Sequence, residues 1–145
     1  MLMNWRELAT TSQYQTAVAI KQELMNNHIE EALHGTEELI EALSSSDKRA
    51  LRRQLIRLMA HVLQWKTQPE RRSQSWAVSI ENARIEIEEL LELEPSLQPF
   101  ISGLLKELFL KAKRLAEKEM NSEVTLTELS WQECFEDDYT LKASR

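Results

Sequence analysis

The stretch from Leu55 to Leu91, LIRLMAHVLQWKTQPERRSQSWAVSIENARIEIEELL, decides the fold. Leu55, Leu58, Val62 and Trp65 recur three and four residues apart, and so do Trp76, Ile80, Ala83, Ile87 and Leu90 beyond the polar turn. Each series marks one face of an amphipathic helix. Between them stands Pro69, which lacks an amide hydrogen and pushes Gln68 out of helical geometry, so the first helix stops before it. Two amphipathic helices joined by so short a turn form an antiparallel hairpin with a tryptophan on either side of the corner.

Working toward the N-terminus, the first helix of the hairpin begins at Lys48. Its extra stripe of Ile56, Met59 and Leu63 makes it the most buried element. Ser44-Ser45-Ser46-Asp47, all turn and helix-start residues, predict a boundary before it. Upstream, Ile29, Leu33, Thr36, Ile40 and Leu43 outline the core-facing side of another helix. Gly35 weakens that helix by about 1 kcal/mol relative to alanine, which favours a start near Thr36. A further helix from Gln13 to Met25, capped by Thr11 or Ser12, aligns Tyr14, Ala17, Val18, Lys21 and Met25 and ends at the turn Asn26-Asn27-His28. Leu2 to Thr10 reads as a short helix or ordered arm held by Trp5 and Leu8.

Toward the C-terminus, Glu94-Pro95-Ser96 breaks the second hairpin helix. Ser96 is placed to cap a fifth helix, with Pro99 in its first turn and Leu97, Ile101, Leu104, Leu108 and Leu115 along its apolar side. That helix fades at Met120-Asn121. In the tail, Ser130-Trp131-Gln132-Glu133 matches the S-x-x-E capping box and predicts a short helix docked through Trp131 and Phe135. Asp137-Asp138 and the last residues are expected to fray.

Composition agrees. The chain has 145 residues with only two glycines and three prolines, too few turn residues for a many-stranded fold. The expected architecture is all-α: one domain over residues 1–145, a mostly antiparallel (up-down) bundle of four to five helices with a short helix in the C-terminal tail. Residues 1–12 form the arm, 13–121 the bundle and 122–145 the tail. The single cysteine, Cys134, excludes an intrachain disulfide and a thiolate metal cage. A net charge of −6 argues against indiscriminate nucleic-acid binding. MLMNWRELATTSQYQ lacks the basic region and apolar core of a signal peptide, and no apolar run is long enough to span a bilayer. A soluble cytoplasmic protein is expected, without membrane association or cofactor.

Three constellations bear on function. Trp65, Pro69, Arg71, Arg72 and Trp76 cluster at the corner, where aromatic faces and guanidinium forks suit an acidic or planar ligand. The same residues suit a structural corner in which Arg71 and Arg72 donate to carbonyls near Gln64 and Trp65, left free at the helix end. The second constellation is basic: between Asp47 and Arg72 there are eight Lys or Arg against two acids. Arg49, Arg52, Arg53 and Arg57 are its candidate face for phosphates. Pairing with Glu81, Glu86, Glu88, Glu89, Glu92 and Glu94 of the next helix accounts for it more simply. The third is Glu31-Ala32-Leu33-His34, which has the E-x-x-H spacing of di-iron bundles but no second copy. His61 reads as a hydrogen-bonded histidine at the core edge. Ser73, Ser75 and Ser79 read as helix-start serines outside any nucleophile elbow, and Cys134, between Glu133 and Glu136, as a thiol with a raised pKa.

The central stretch LMAHVLQWKTQPERRSQSWAVSIENARIEIEELLELEPSLQPF resembles the bacterial family called domain of unknown function 29. Its pattern is a leucine-rich helix, H-L-L-K-W-Q-x-Q-P, a basic pair, S-W, a helix with repeated Ile and Arg, then P-S-L-x-P. His61, Leu63, Trp65, Gln68, Pro69, Arg71, Arg72, Ser75, Trp76, Ile80, Arg84, Pro95, Ser96, Leu97 and Pro99 stand at its positions. Thr36 to Leu43 is similar to the family's L-x-E-E-I-E-x-L helix, with Thr36 and Leu39 as departures, and Ser130 to Phe135 echoes its last short helix. The resemblance runs from Tyr14 to about Tyr139. It implies a compact all-α bundle of bacteria, and no activity.

The residues therefore favour a non-catalytic interaction or adaptor protein with an unidentified protein partner. A nucleic-acid-linked regulator, such as one half of a regulatory pair using the Arg49–Arg57 series, is the alternative. A small enzyme whose site spacing does not reveal is the third reading.

Overall fold

The computed structural model describes residues 3–141. Leu2 and residues 142–145, where the arm is expected to begin and the chain to fray, lie outside that range. The fold is all-α, with no strand among the described residues. Its helices are α1 (Trp5–Thr11), α2 (Gln13–Met25), α3 (Ile29–Thr67), α4 (Gln74–Leu93) and α5 (Ile101–Met120). Tight turns fill Pro69–Arg71 and Pro95–Phe100, and a five-residue π-helical turn occupies Gln132–Glu136. The chain sorts into two compact units divided between Arg49 and Ala50.

The boundary expected at Ser44–Asp47 is absent: α3 runs unbroken for 39 residues. A helical serine costs only a few tenths of a kcal/mol more than alanine, and neither glycine nor proline stands there to stop the helix. Acids in the first turn (Glu30, Glu31) and Lys66 in the last also complement the helix dipole. The late start near Thr36 fails as well, since α3 begins at Ile29 and runs through Gly35.

In the N-terminal unit, Ser12 serves two helices. Its amide bonds to the Leu8 carbonyl at the end of α1, and its side chain accepts from Gln15 at the start of α2. After α2, Asn27 takes a left-handed conformation (φ 62°), and the His28 amide returns to the Glu23 carbonyl at 2.8 Å. This bond closes a Schellman cap.

The core of this unit is made of small residues around one large one. Trp5, Ala9, Thr16 and Ala32 are buried. The Trp5 indole donates to Glu31 at 2.9 Å. A Cβ on Gly35 would come within 2.7 Å of the Trp5 ring and 2.8 Å of Ile20, so glycine is what lets the helices approach this closely. The faces expected to point inward point outward instead. Tyr14, Val18 and Met25 of α2 are exposed, as are Ile29, Leu33, Ile40 and Leu43 of α3, with Tyr14 at 79%, Ile29 at 60% and Ile40 at 61%. Close helix approach selected alanine, threonine and glycine and left the large apolar side chains outside.

The C-terminal unit follows the expected pattern. From α3, Leu51, Leu55, Leu58, Met59, Val62, Leu63 and Trp65 are buried, joined by Ile80, Ala83 and Ile87 of α4. Trp76, expected to be largely buried, is half-buried at the first turn of α4. The contribution of α5 is Ile101, Leu105, Leu108, Phe109, Ala112, Ala116 and Met120. Leu115, assigned to that face, is partly exposed. Ser96 does not cap α5. Its hydroxyl donates to Glu94, and the Pro95–Phe100 turn, which contains Pro99, leads straight into the helix.

Arg52 bonds to Glu107 at 3.0 Å and Gln64 to Glu119 at 2.7 Å. Both numbers rise together along the two helices, so α5 runs parallel to this part of α3 and antiparallel to α4 between them in sequence. At the end of α5 Asn121 is left-handed (φ 52°), and the Ser122 amide returns to the Glu117 carbonyl.

Candidate functional site: the tryptophan–arginine corner

α3 ends at Thr67, so the Trp65 carbonyl has no intrahelical partner. Arg72 supplies one: its Nε donates to that carbonyl at 2.8 Å, and its guanidinium lies 4.9 Å from the Trp65 ring centroid. Gln68 leaves helical geometry before Pro69, and Ser73 caps α4 by accepting from the Trp76 amide. The structure thus brings Trp65 and Arg72 together, with Trp65 buried. Pro69 and Arg71 are exposed on the turn, and the bond to the Trp65 carbonyl comes from Arg72.

The C-terminal tail completes the corner. Tyr139 meets Trp65 edge-on at 5.9 Å, and its hydroxyl donates to the Glu133 carbonyl at 2.6 Å. Lys66 pairs with the Glu133 carboxylate at 2.8 Å. From α4, Arg84 donates through Nε to the Cys134 carbonyl and through Nη2 to the Asp137 carbonyl, both at 2.8 Å, with its guanidinium 5.3 Å from the Tyr139 ring. These carbonyls lie at the end of the π-helical turn, so one guanidinium satisfies acceptors that the short helix leaves free.

The S-x-x-E box forms reciprocally: the Ser130 amide donates to the Glu133 carboxylate at 2.9 Å, and the Glu133 amide donates to the Ser130 hydroxyl at 3.1 Å. Docking runs through Phe135, as expected, which is half-buried against the core, and through Leu129, Cys134 and Tyr139, which are buried. Trp131 and Phe135 stack on one another at 4.5 Å, and Trp131 is partly exposed.

The electrostatics are those of a closed joint. Hydrogen bonding to Lys66, helped by Ser130 and opposed by burial, holds the Glu133 carboxyl below its usual range. Burial, with the Glu133 charge adding to it, pushes the Cys134 thiol up to about 12 against the opposing pull of Arg84. Burial first, then the Asp137 charge, raises the Tyr139 phenol as well. Such a thiol is neutral and shielded, unsuited to nucleophilic work.

Of the basic series, Arg52 is paired with Glu107 of α5, not with the acids of α4, whose Glu81, Glu86, Glu88, Glu89 and Glu92 are all exposed. Arg49, Arg53 and Arg57 are exposed. His61 is bonded to the Arg57 carbonyl at 2.9 Å. Glu31 receives the Trp5 indole and His34 is exposed, so the E-x-x-H pair is not drawn together. Among the described residues no group of three or more His, Cys, Asp or Glu could hold a metal ion. No helix among them is long and apolar enough to cross a membrane.

Sequence reasoning assigned no role to Arg84, Tyr139 or the Lys66–Glu133 pair. For Arg84 a signal existed: it sits between Ile80 and Ile87 at core spacing, where a guanidinium must find buried acceptors.

A family model described as "Domain of unknown function DUF29" matches residues 14–142, a span that includes parts of both units. No curated protein and no solved structure gives a match.

Proposed function

We propose that this chain, which belongs to the family described as Domain of unknown function DUF29, acts as a bacterial cytoplasmic protein-interaction module without a catalytic step. One observation carries the reading: the N-terminal unit exposes large apolar side chains in helical register, Tyr14, Val18 and Met25 on α2 and Ile29, Leu33, Ile40 and Leu43 on α3. Single exposed leucines are ordinary, but apolar stripes in register mark surfaces that another chain covers. At the corner, by contrast, the Trp65 face and the Arg72 Nε are engaged within the chain, and Arg71 is the exposed guanidinium.

The test is crosslinking in the native cells with the wild-type chain, a Leu33→Asn/Ile40→Asn variant and an Arg71→Ala variant. A crosslinked protein lost from the first variant and kept by the second supports the reading. Loss from Arg71→Ala alone returns recognition to the corner. The nucleic-acid alternative rests on Arg53 and Arg57, exposed one turn apart. It requires binding that weakens steeply with salt.

A further inference from the structure

The apolar stripe of α3 has a charged border. From Ile29 to Asp47 the helix carries six acids and no lysine or arginine. Glu31 is bonded to the Trp5 indole, and Glu38 lies 3.7 Å from Arg6. Glu30, Glu37 and Glu41 are exposed. At 100° per residue these three fall on one flank of the stripe formed by Ile29, Leu33, Ile40 and Leu43. The opposite flank, with Ala32 and Gly35, packs on Trp5 and Ile20. With Thr36 included, the stripe steps by four, three, four and three residues, the repeat by which one helix seats another.

From this juxtaposition we infer that the N-terminal unit binds a basic amphipathic helix. Its apolar face lies on Ile29, Leu33, Ile40 and Leu43, and its lysines or arginines reach Glu30, Glu37 and Glu41. The inference rests on the interaction reading above and adds the chemistry of the partner. Charge decides against a second copy as the occupant. Antiparallel pairing of the stripe with itself about Thr36 sets Glu30 of one copy beside Glu41 of the other, a like-charge contact that disfavours the pair.

The experiment titrates the full chain with two synthetic helical peptides of identical leucine pattern, one flanked by lysine and arginine and the other by glutamate. Sedimentation of the chain alone is followed in parallel. The basic peptide should bind at least about tenfold tighter than the acidic one, and Leu33→Asn/Ile40→Asn should weaken it by a similar factor. Leu110→Asn, an exposed position of α5, should leave binding unchanged. Glu37→Lys/Glu41→Lys should reverse the preference between peptides, with circular dichroism confirming that every variant stays helical.

Equal binding of both peptides, lost in the Leu33/Ile40 variant, overturns the basic partner and leaves the docking surface standing. Self-association abolished by that variant makes a second copy the occupant and overturns the inference in the same way. If neither peptide binds and the chain stays monomeric, both this inference and the interaction reading fall.

Discussion

The two units solve the same packing problem with opposite materials. In the C-terminal unit leucine, isoleucine, methionine and phenylalanine from α3, α4 and α5 interlock inside. In the N-terminal unit one tryptophan presses on alanine and glycine, and the isoleucines and leucines of the helices stay outside. The first arrangement completes itself within the chain. The second leaves most of its large apolar side chains at the surface, the feature from which the proposed interaction is argued.

The contrast is most exposed to failure at leucine. Leu58 is fully buried in the C-terminal unit, and Leu58→Ala should cost about 2–5 kcal/mol through lost burial and the cavity left behind. Leu33→Ala, in the N-terminal unit, should stay within about 0.5 kcal/mol. Urea denaturation of both variants checks this. A large loss at Leu33 would mean that its stripe is covered within the chain, and the comparison would collapse.

Arg84 tests how firmly the C-terminal unit holds its tail. Arg84→Met keeps the aliphatic stem and removes both bonds to the tail carbonyls. The loss should be about 2 kcal/mol, below the roughly 3–6 kcal/mol of two fully sheltered charge-assisted bonds because Arg84 is only half-buried. The readout is the buried thiol of Cys134, which should react with a thiol reagent at least about tenfold faster as the tail opens. The charge effect alone points the other way. Arg84 lowers the thiol pKa, so removing it without opening the tail would leave less thiolate and slow the reaction. Slower labelling would therefore show a tail held by Tyr139 and Glu133 without Arg84.

What could be read in advance follows the strength of each local constraint. Pro69 cannot continue a helix, and Ser130 with Glu133 satisfies amides reciprocally, so the corner and the tail helix were legible from spacing. Ser44–Asp47 carries only a weak propensity, which the intact hydrogen-bond ladder of α3 overrides. Periodicity correctly finds that α2 and the first part of α3 have an apolar side. It does not say whether the cover for that side is in the same chain, and here Trp5 chose the small-residue flank instead. Arg84 reaches carbonyls 50 and 53 residues away, a pairing that no local pattern encodes.

The two glycines, one in each unit, sharpen the comparison with opposite signs. Alanine is the better helix former by about 1 kcal/mol, so any substitution starts with that gain. At Gly103 nothing lies within 4 Å of a new Cβ, and Gly103→Ala should stabilise by up to about 1 kcal/mol. At Gly35 the new Cβ meets the Trp5 ring, which the Glu31 bond holds in place, and overpacking costs about 1–3 kcal/mol. Gly35→Ala should thus destabilise by about 1 kcal/mol net. Thermal midpoints moving the same way at both sites would show that α1 does not press on α3 as closely as its core requires.

The smallest effect belongs to the Lys66–Glu133 pair and is resolved by pH. Glu133 has a carboxyl pKa below its ordinary value of 4.5 because Lys66 and Ser130 favour the charged form. A group whose folded pKa is depressed stabilises the fold above the unfolded pKa and loses that contribution as pH falls through the folded value. Both side chains keep partial contact with water, so the pair contributes less than about 1 kcal/mol. Glu133→Gln isolates it, since glutamine still accepts from the Ser130 amide and preserves the capping box, removing only the charge that Lys66 sees. Wild type should be slightly the more stable at pH 7, and the gap should close as the pH falls through the lowered pKa of Glu133, where the wild-type carboxylate takes up its proton. High salt at pH 7 should narrow it too. A gap that stays constant from pH 7 to pH 3 would mean that Glu133 holds the tail through hydrogen bonds alone, with Lys66 a bystander.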